Sequence, residues 1–270
     1  MESVGFIGGG NMAEALIKGL LQAGICRADE ILVSDIRSQR LSYLATEYGV
    51  RTFENNKQLA EKSETIVLSI KPQNMAEVLE QIKPVYNTNA LIISIAAGIR
   101  TTKIVEALGR APIIRAMPNT PALIGEGLTA LFVTKKAAGF SDKAEMIFSA
   151  AGRVVFIADE DLMDAVTALS GSGPAYFFLF IEEMIKAGIQ AGLKKDTAKK
   201  LVSQTARGAV LLADRAQDRG ESIAELRRRV TSPGGTTQAA LEVFNRGSLG
   251  DLIKKAVKAA TERGRKLSGD

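Results

Sequence analysis

The sequence predicts an α/β chain in which an N-terminal, doubly wound sheet is followed by an all-helical segment. Three observations carry this. Short apolar runs alternate with helical periodicity through residue 158, and after Asp159 the strand-like runs stop. The first apolar run also opens directly into a glycine-rich turn and an amphipathic helix.

That first run, Val4-Gly5-Phe6-Ile7, reads as a buried strand, and the helix after the turn places Met12, Leu16, Leu20 and Ala23 on one side. Between them Gly8-Gly9-Gly10-Asn11-Met12-Ala13 has the spacing Gly-x-Gly-x-x-Ala. Gly8 suits the tight turn, Gly10 the approach of a pyrophosphate and Ala13 close helix packing, so a Rossmann-type site for a nicotinamide cofactor is expected. A second strand at 31–33 ends at Ser34-Asp35, where the adenine ribose contact should lie. Asp35, 25 positions after Gly10, suits a ribose 2′-hydroxyl and NADH; Ser34, Arg37 and Arg40 suit the 2′-phosphate of NADPH. Both cofactors stay open on these residues. Further strands are expected at 65–70, 90–95, 113–115, 128–133 and 154–157, with connecting segments such as 75–82 and 103–108 long enough for right-handed crossovers.

Beyond Asp159 helices are expected near 160–169, 174–192, 196–216, 221–230, 236–246 and 249–267, which sets two domains, 1–158 and 159–270. The run Pro174-Ala175-Tyr176-Phe177-Phe178-Leu179-Phe180-Ile181 is apolar on every face and needs cover on all sides. It holds three of the ten phenylalanines, more than a small domain surrounds alone, and predicts an interdigitated dimer. A membrane span is excluded because Glu182 and Glu183 end the run well short of about 20 apolar residues.

A second anion site is expected where Val230-Thr231-Ser232-Pro233-Gly234-Gly235-Thr236-Thr237 enters the helix at 236–246. Unpaired N–H groups, the helix dipole and glycines that admit a ligand favour a carboxylate or phosphate there. The plain alternative is a helix start with Thr231 or Ser232 as N-cap and Pro233 in the first turn.

Composition narrows the chemistry. The 270 residues contain no histidine, which removes Ser-His-Asp and Cys-His nucleophiles and every imidazole metal site. The single cysteine, Cys26, cannot form an internal disulfide, and no Asp/Glu cluster has calcium-loop spacing, so no metal is expected. The start lacks a signal-peptide pattern, and a cytoplasmic location is expected. The net charge of +5 is thinly spread, with 17 basic against 15 acidic groups in 1–158 and 18 against 15 in 159–270. No aromatics interleave with the basic clusters, and no nucleic-acid partner is expected.

Over its whole length the chain resembles the pyrroline-5-carboxylate reductases. Phe6-Ile7-Gly8-Gly9-Gly10-Asn11-Met12-Ala13 resembles their cofactor loop and Ile70-Lys71-Pro72-Gln73 their Lys-Pro turn. Ala96-Ala97-Gly98 and Met117-Pro118-Asn119-Thr120-Pro121 resemble segments along the nicotinamide half. Leu169-Ser170-Gly171-Ser172-Gly173-Pro174-Ala175-Tyr176 and the 230–237 segment resemble the two helical-domain motifs.

The resemblance implies reduction of 1-pyrroline-5-carboxylate to L-proline with NADPH or NADH, leaning to NADPH. Cofactor contacts are implied at Gly8, Gly10, Asn11, Met12, Ser34, Asp35, Arg37, Asn56, Lys71, Pro72, Ala96, Ala97, Met117 and Asn119. Asn56 would serve the adenosine end, although Asn55-Asn56 could equally be a helix cap. Ser232, Gly235, Thr236 and Thr237 would hold the substrate carboxylate, with the Thr237 hydroxyl near the ring nitrogen as the catalytic group. A homodimer through the C-terminal helices is implied, with a larger ring of dimers left open.

Two rivals remain on the residues alone. A 3-hydroxyacid dehydrogenase-like enzyme would place a catalytic lysine on a helix of the second domain, yet Lys186 is the first lysine after Ser170-Gly171-Ser172-Gly173. A non-enzymatic dinucleotide-binding regulator would not need the second anion site.

Overall fold

The computed structural model describes residues 3–268; the outer ends of the two expected domains, 1–2 and 269–270, lie outside the described residues. The chain starts with β1 (Val4–Ile7), α1 (Asn11–Gln22), β2 (Ile31–Ser34), α2 (Ser38–Tyr48), β3 (Arg51–Phe53), α3 (Asn56–Lys62) and β4 (Thr65–Leu68). It continues through α4 (Met75–Ile82), β5 (Leu91–Ser94), α5 (Thr101–Leu108), β6 (Ile113–Met117), β7 (Gly127–Val133), α6 (Ser141–Ser149) and β8 (Gly152–Phe156). The eight strands form one sheet in the order β3-β2-β1-β4-β5-β6-β7-β8, parallel except where β7 runs antiparallel to β6. Order reverses between β1 and β4, and in open parallel sheets ligands settle in that crevice, beyond the carboxyl ends of the strands.

Parallel strands buried on both faces read as continuous apolar runs, which is why β1, β2, β4 and β5 are visible in the sequence. Alternate residues supply two cores. Phe6, Val33, Val67, Ile93 and Ile114 pack on one face with Leu16 and Leu20 of α1 and Phe148 of α6. Ile7, Leu32, Ile66, Ile92 and Ile113 pack on the other with Leu59 of α3, Leu79 of α4 and Ile104 of α5.

One strand had no range among the apolar runs of the sequence. β3 is three residues at the sheet edge with Arg51 exposed and Thr52 and Phe53 half-buried, too short and too wet for an alternation to stand out.

After β8 come α7 (Met163–Val166), a π-helical turn at Thr167–Gly171, α8 (Gly173–Gln190), α9 (Lys195–Gln217), α10 (Ile223–Arg229), α11 (Thr236–Arg246) and α12 (Leu249–Ser268). Strands therefore give way to helices just before the expected boundary at 158, but the compact units divide elsewhere. One comprises residues up to Pro174 together with Ala259 onward, and the other is Ala175–Lys258. Within the first unit a buried ion cluster, described below, ties the first and last turns of the helical segment to β6. Within Ala175–Lys258 only Ala198 and Ala216 are buried, while Phe177, Phe178, Leu179 and Phe180 are all more than half exposed.

Candidate active site

The glycine turn is built from both sides. Gly8 takes φ +94, and a side chain there would meet the Ser69 carbonyl at 2.3 Å, so β1 can turn beside β4 only with glycine at this position. Its N–H donates to the Ser34 carbonyl at 2.8 Å, and the Ser69 N–H donates to the Ile7 carbonyl at 2.8 Å. Gly10 is the N-cap of α1, and a Cβ there would meet nothing within 4 Å, which leaves open space at the helix start.

Gly9 is gripped at both ends of its own backbone. Its N–H donates to Asp35 Oδ2 at 3.0 Å, and its carbonyl accepts from Arg40 Nε. Arg40 also pairs with Glu14, which accepts from the hydroxyls of Tyr43 at 3.0 Å and Tyr48 at 2.8 Å. Burial pushes the Glu14 carboxyl up, but the hydrogen bonds of Arg40, Tyr48 and Tyr43 outweigh it and hold the group below its ordinary value. Burial and the bond to Glu14 raise the Tyr48 hydroxyl in turn.

Asp35 has a second duty. It accepts from the Arg37 backbone N–H at 3.0 Å and from the guanidinium at 2.9 and 3.0 Å. Burial opposes ionisation, yet Arg37 and the N–H groups of Arg37 and Gly9 keep the carboxyl below the usual range. Arg37 remains 62% exposed, whereas Arg40, at 18%, is committed to the glycine turn and Glu14. Of the two arginines considered for a 2′-phosphate, the exposed one is Arg37.

Ser34 is fully buried and donates to Asn56 Oδ1 at 2.7 Å; Asn56 Nδ2 donates to Gln81 at 2.8 Å. The cap of α3 is Asn55, whose side chain accepts from the Lys57 N–H at 2.8 Å. The cap reading thus falls on Asn55 alone, and the Asn56 side chain is free of the cap.

Lys71 and Pro72 follow β4, with Lys71 exposed and Pro72 opening a 3₁₀ turn. Ala96 and Ala97 follow β5, the first buried and the second half-buried. Met117 ends β6, and half-buried Asn119 accepts from the Leu128 N–H at 2.9 Å and donates to Ser170 Oγ at 3.2 Å. The expected cofactor residues thus stand at or just beyond the carboxyl ends of β1 to β6, which places them along one edge of the sheet.

Ser232, Gly235, Thr236 and Thr237 belong to the other compact unit. The N-cap of α11 is Gly235, in place of Thr231 or Ser232. Thr231 Oγ1 instead donates back to the Arg227 carbonyl at 2.6 Å, the end of α10, and the Ser232 carbonyl accepts from the Gly235 N–H at 3.0 Å. Gln238 Oε1 accepts the Gly234 N–H at 2.7 Å. Thr236 and Thr237 occupy the first turn of α11, where backbone N–H groups have no intrahelical partner. Ser232 and Thr236 are exposed, Gly235 and Thr237 half-buried.

A cluster that the sequence reading passed over lies behind this edge. Arg115, in the middle of β6 and 3% exposed, pairs with Glu160 at 3.3 Å and Asp164 at 3.5 Å, both buried. The available signal was a cation inside the apolar run Ile113-Ile114-Arg115-Ala116. Cys26 is buried against the apolar core, and burial raises its thiol. Among the described residues no group of three or more His, Cys, Asp or Glu could hold a metal ion, and no helix is long and apolar enough to cross a membrane.

A glycine turn at the switch point of a parallel sheet, followed by an acidic residue at the end of β2, defines a dinucleotide-binding oxidoreductase class. Residues 3–98 match the family described as NADP oxidoreductase, coenzyme F420-dependent, and residues 160–267 match the family for pyrroline-5-carboxylate reductase dimerisation. The pyrroline-5-carboxylate reductase of Pseudomonas aeruginosa is 40% identical over 267 residues, 98% of this chain and 96% of that protein. The solved structure of a pyrroline-5-carboxylate reductase from Coxiella burnetii superposes with a TM-score of 0.91 at 39% identity, covering 99% of this chain and 98% of that one. The Plasmodium falciparum pyrroline carboxylate reductase, solved with NADP bound, gives 0.88 at 32% identity, over 99% and 98%. The chain belongs to the pyrroline-5-carboxylate reductase family.

Proposed function

We propose that the protein reduces 1-pyrroline-5-carboxylate to L-proline, in 1–158 binding the nicotinamide cofactor and in 159–270 binding substrate and a second subunit. The observation that carries this is similarity to reductases of that name along nearly the whole chain, both binding segments included. The reduced nicotinamide supplies a hydride to the C=N carbon. The Gly8–Met12 turn would take the pyrophosphate, with Gly10 giving it room and the α1 N-terminus favouring its charge. Asp35, Arg37 and Asn56, the last oriented by Ser34, would hold the adenosine end. Lys71, Pro72, Ala96, Ala97, Met117 and Asn119 would line the nicotinamide half.

At the substrate, Ser232, Gly235, Thr236 and Thr237 would hold the carboxylate on the α11 N-terminus. The Thr237 hydroxyl would orient, or pass on, the proton at the ring nitrogen. A cyclic imine takes that proton readily near neutral pH, so alignment does most of the work and a chain without histidine suffices. The lean to NADPH is supported by Asp35, whose charge is offset by Arg37 while Arg37 itself stays exposed. The dimer is supported by the apolar exposure of Ala175–Lys258. An assay of purified protein with pyrroline-5-carboxylate and NADPH or NADH, with a 3-hydroxy acid and oxidised cofactor as control, tests the reading. Oxidation of the nicotinamide by the imine alone is expected; turnover of the hydroxy acid alone would replace it.

A further inference from the structure

An ion cluster buried in β6 is not explained by stability, because well-packed apolar side chains of similar volume do as well or better in such places. What a cluster of this kind supplies is direction: both Glu160 oxygens and Asp164 Oδ1 accept hydrogen bonds from fixed donors. Glu160 takes both donors of Thr101, the first residue of α5: the N–H at 2.8 Å and the hydroxyl at 2.7 Å. Its carboxylate thereby caps α5 from outside, while Arg115 holds it in place at 3.3 Å. Asp164 accepts from Arg115 and, at 3.3 Å, from the hydroxyl of Ser268 in the last turn of α12. Lys103 of α5 donates to the Ser268 carbonyl at 2.7 Å. One residue back, Leu267 closes over Gly98: with φ +71, Gly98 has so little room that a Cβ would stand 3.0 Å from that of Leu267.

The contacts close a ring that runs Arg115, Glu160, Thr101, the turn at 96–100, Leu267, Ser268, Asp164 and back to Arg115. The turn inside it carries Ala96 and Ala97. We propose that Arg115, Glu160 and Asp164 are positioning residues for hydride transfer, which set the 96–101 turn through Thr101 and so the surface that the nicotinamide lies against. This rests on the functional reading above only in assigning Ala96 and Ala97 to the nicotinamide.

Thr101→Val is the cleanest test, because it cuts the link at the hydroxyl and leaves the buried charges paired; Glu160→Gln removes the charge but keeps an acceptor for Thr101. In both, amide hydrogen exchange at 96–101 in the cofactor-free protein should quicken by about tenfold, since an opening that a hydrogen bond restrained becomes easier. NADPH affinity read by fluorescence should weaken by roughly threefold, and kcat should fall about tenfold with a larger primary isotope effect from 4-deuterated NADPH, because misplacement slows the hydride step. KM for pyrroline-5-carboxylate should hold. Thr101→Ser should restore every value. A lowered Tm with wild-type exchange, affinity and isotope effect would make the cluster structural only and overturn the proposal, as would failure of the serine variant to rescue. A wild-type protein that binds NADPH but does not reduce the imine would instead overturn the functional reading, and the exchange and affinity results would still decide whether the cluster sets the turn.

Discussion

The sheet unit and the helical unit of one chain differ in how much of their structure a single copy completes. Around the sheet, side chains as large as Phe6, Phe148, Leu16 and Leu20 are fully buried in one core, and Ile7, Leu59 and Ile66 in the other. From Ala175 to Lys258 the chain forms long helices yet buries only Ala198 and Ala216, with apolar residues such as Val210, Leu212, Val243 and Leu252 more than half exposed. Secondary structure alone does not produce a core. Helices this exposed draw their stability from whatever covers them, whereas the sheet brings its own cover.

That contrast can be broken most forcefully at Phe178. A glutamate in its place would force an unpaired carboxylate into the apolar interface, and a charge buried without a partner costs several kcal/mol, enough to weaken association roughly thousandfold or more. Sedimentation should find monomer or aggregate, and a stable, fully active dimer would show that the 174–181 face is not at the interface. Phe6→Ala attacks the other unit: a fully buried ring on β1 should cost about 3–5 kcal/mol in denaturant unfolding and leave the oligomeric state intact. Similar dissociation in both variants would mean the two units are not independent in this respect.

Smaller effects sharpen the division of labour. Thr237→Val keeps the branched shape and removes one hydroxyl, which should cost about 1–3 kcal/mol, or roughly ten- to a hundredfold in kcat/KM, with cofactor binding unchanged. Wild-type kcat/KM would leave the work to backbone N–H groups. Gly10→Val should do the opposite, weakening cofactor binding at least about tenfold while the fold persists, because its side chain points into open space. Titration of nicotinamide fluorescence decides this. The smallest shift is expected from Asp35→Ala, a severalfold move of the NADPH to NADH efficiency ratio towards NADPH as a negative charge leaves the ribose. In the wild type the depressed Asp35 carboxyl contributes stability that is present above the ordinary carboxylate range and lost as pH falls through its folded value, so the glycine turn should loosen only in acid. A ratio that stays flat, or a turn whose amide exchange is insensitive to acid, would place Asp35 away from both tasks.

Strands buried on both faces and helices with a clear apolar side are legible in the sequence because burial writes its own period; β3 has neither, and no pattern delimits it. The reversal of β7 against β6 leaves no local mark at all, since pairing direction is decided by partners and connections. At the site, chain position led to Gly8, Gly10 and Asp35 and the family resemblance to the residues after the later strands, but what each side chain holds depends on distant neighbours. Arg40 could be seen as a cation near the ribose, whereas its commitment to Gly9, Gly10 and Glu14 crosses 26 to 31 positions of sequence. Arg115 was visible as an odd residue in a strand, yet its meaning lies with Glu160 and Asp164, 45 and 49 positions away.

The double grip on Gly9 has a consequence for the timing of binding. Asp35 holds the N–H and Arg40 the carbonyl of this residue from within the protein, so the cradle needs no ligand contact to fix it. Association should then run as a single phase limited by diffusion and orientation, and the heat-capacity change on binding should track only the surface covered, with no added contribution from a folding segment.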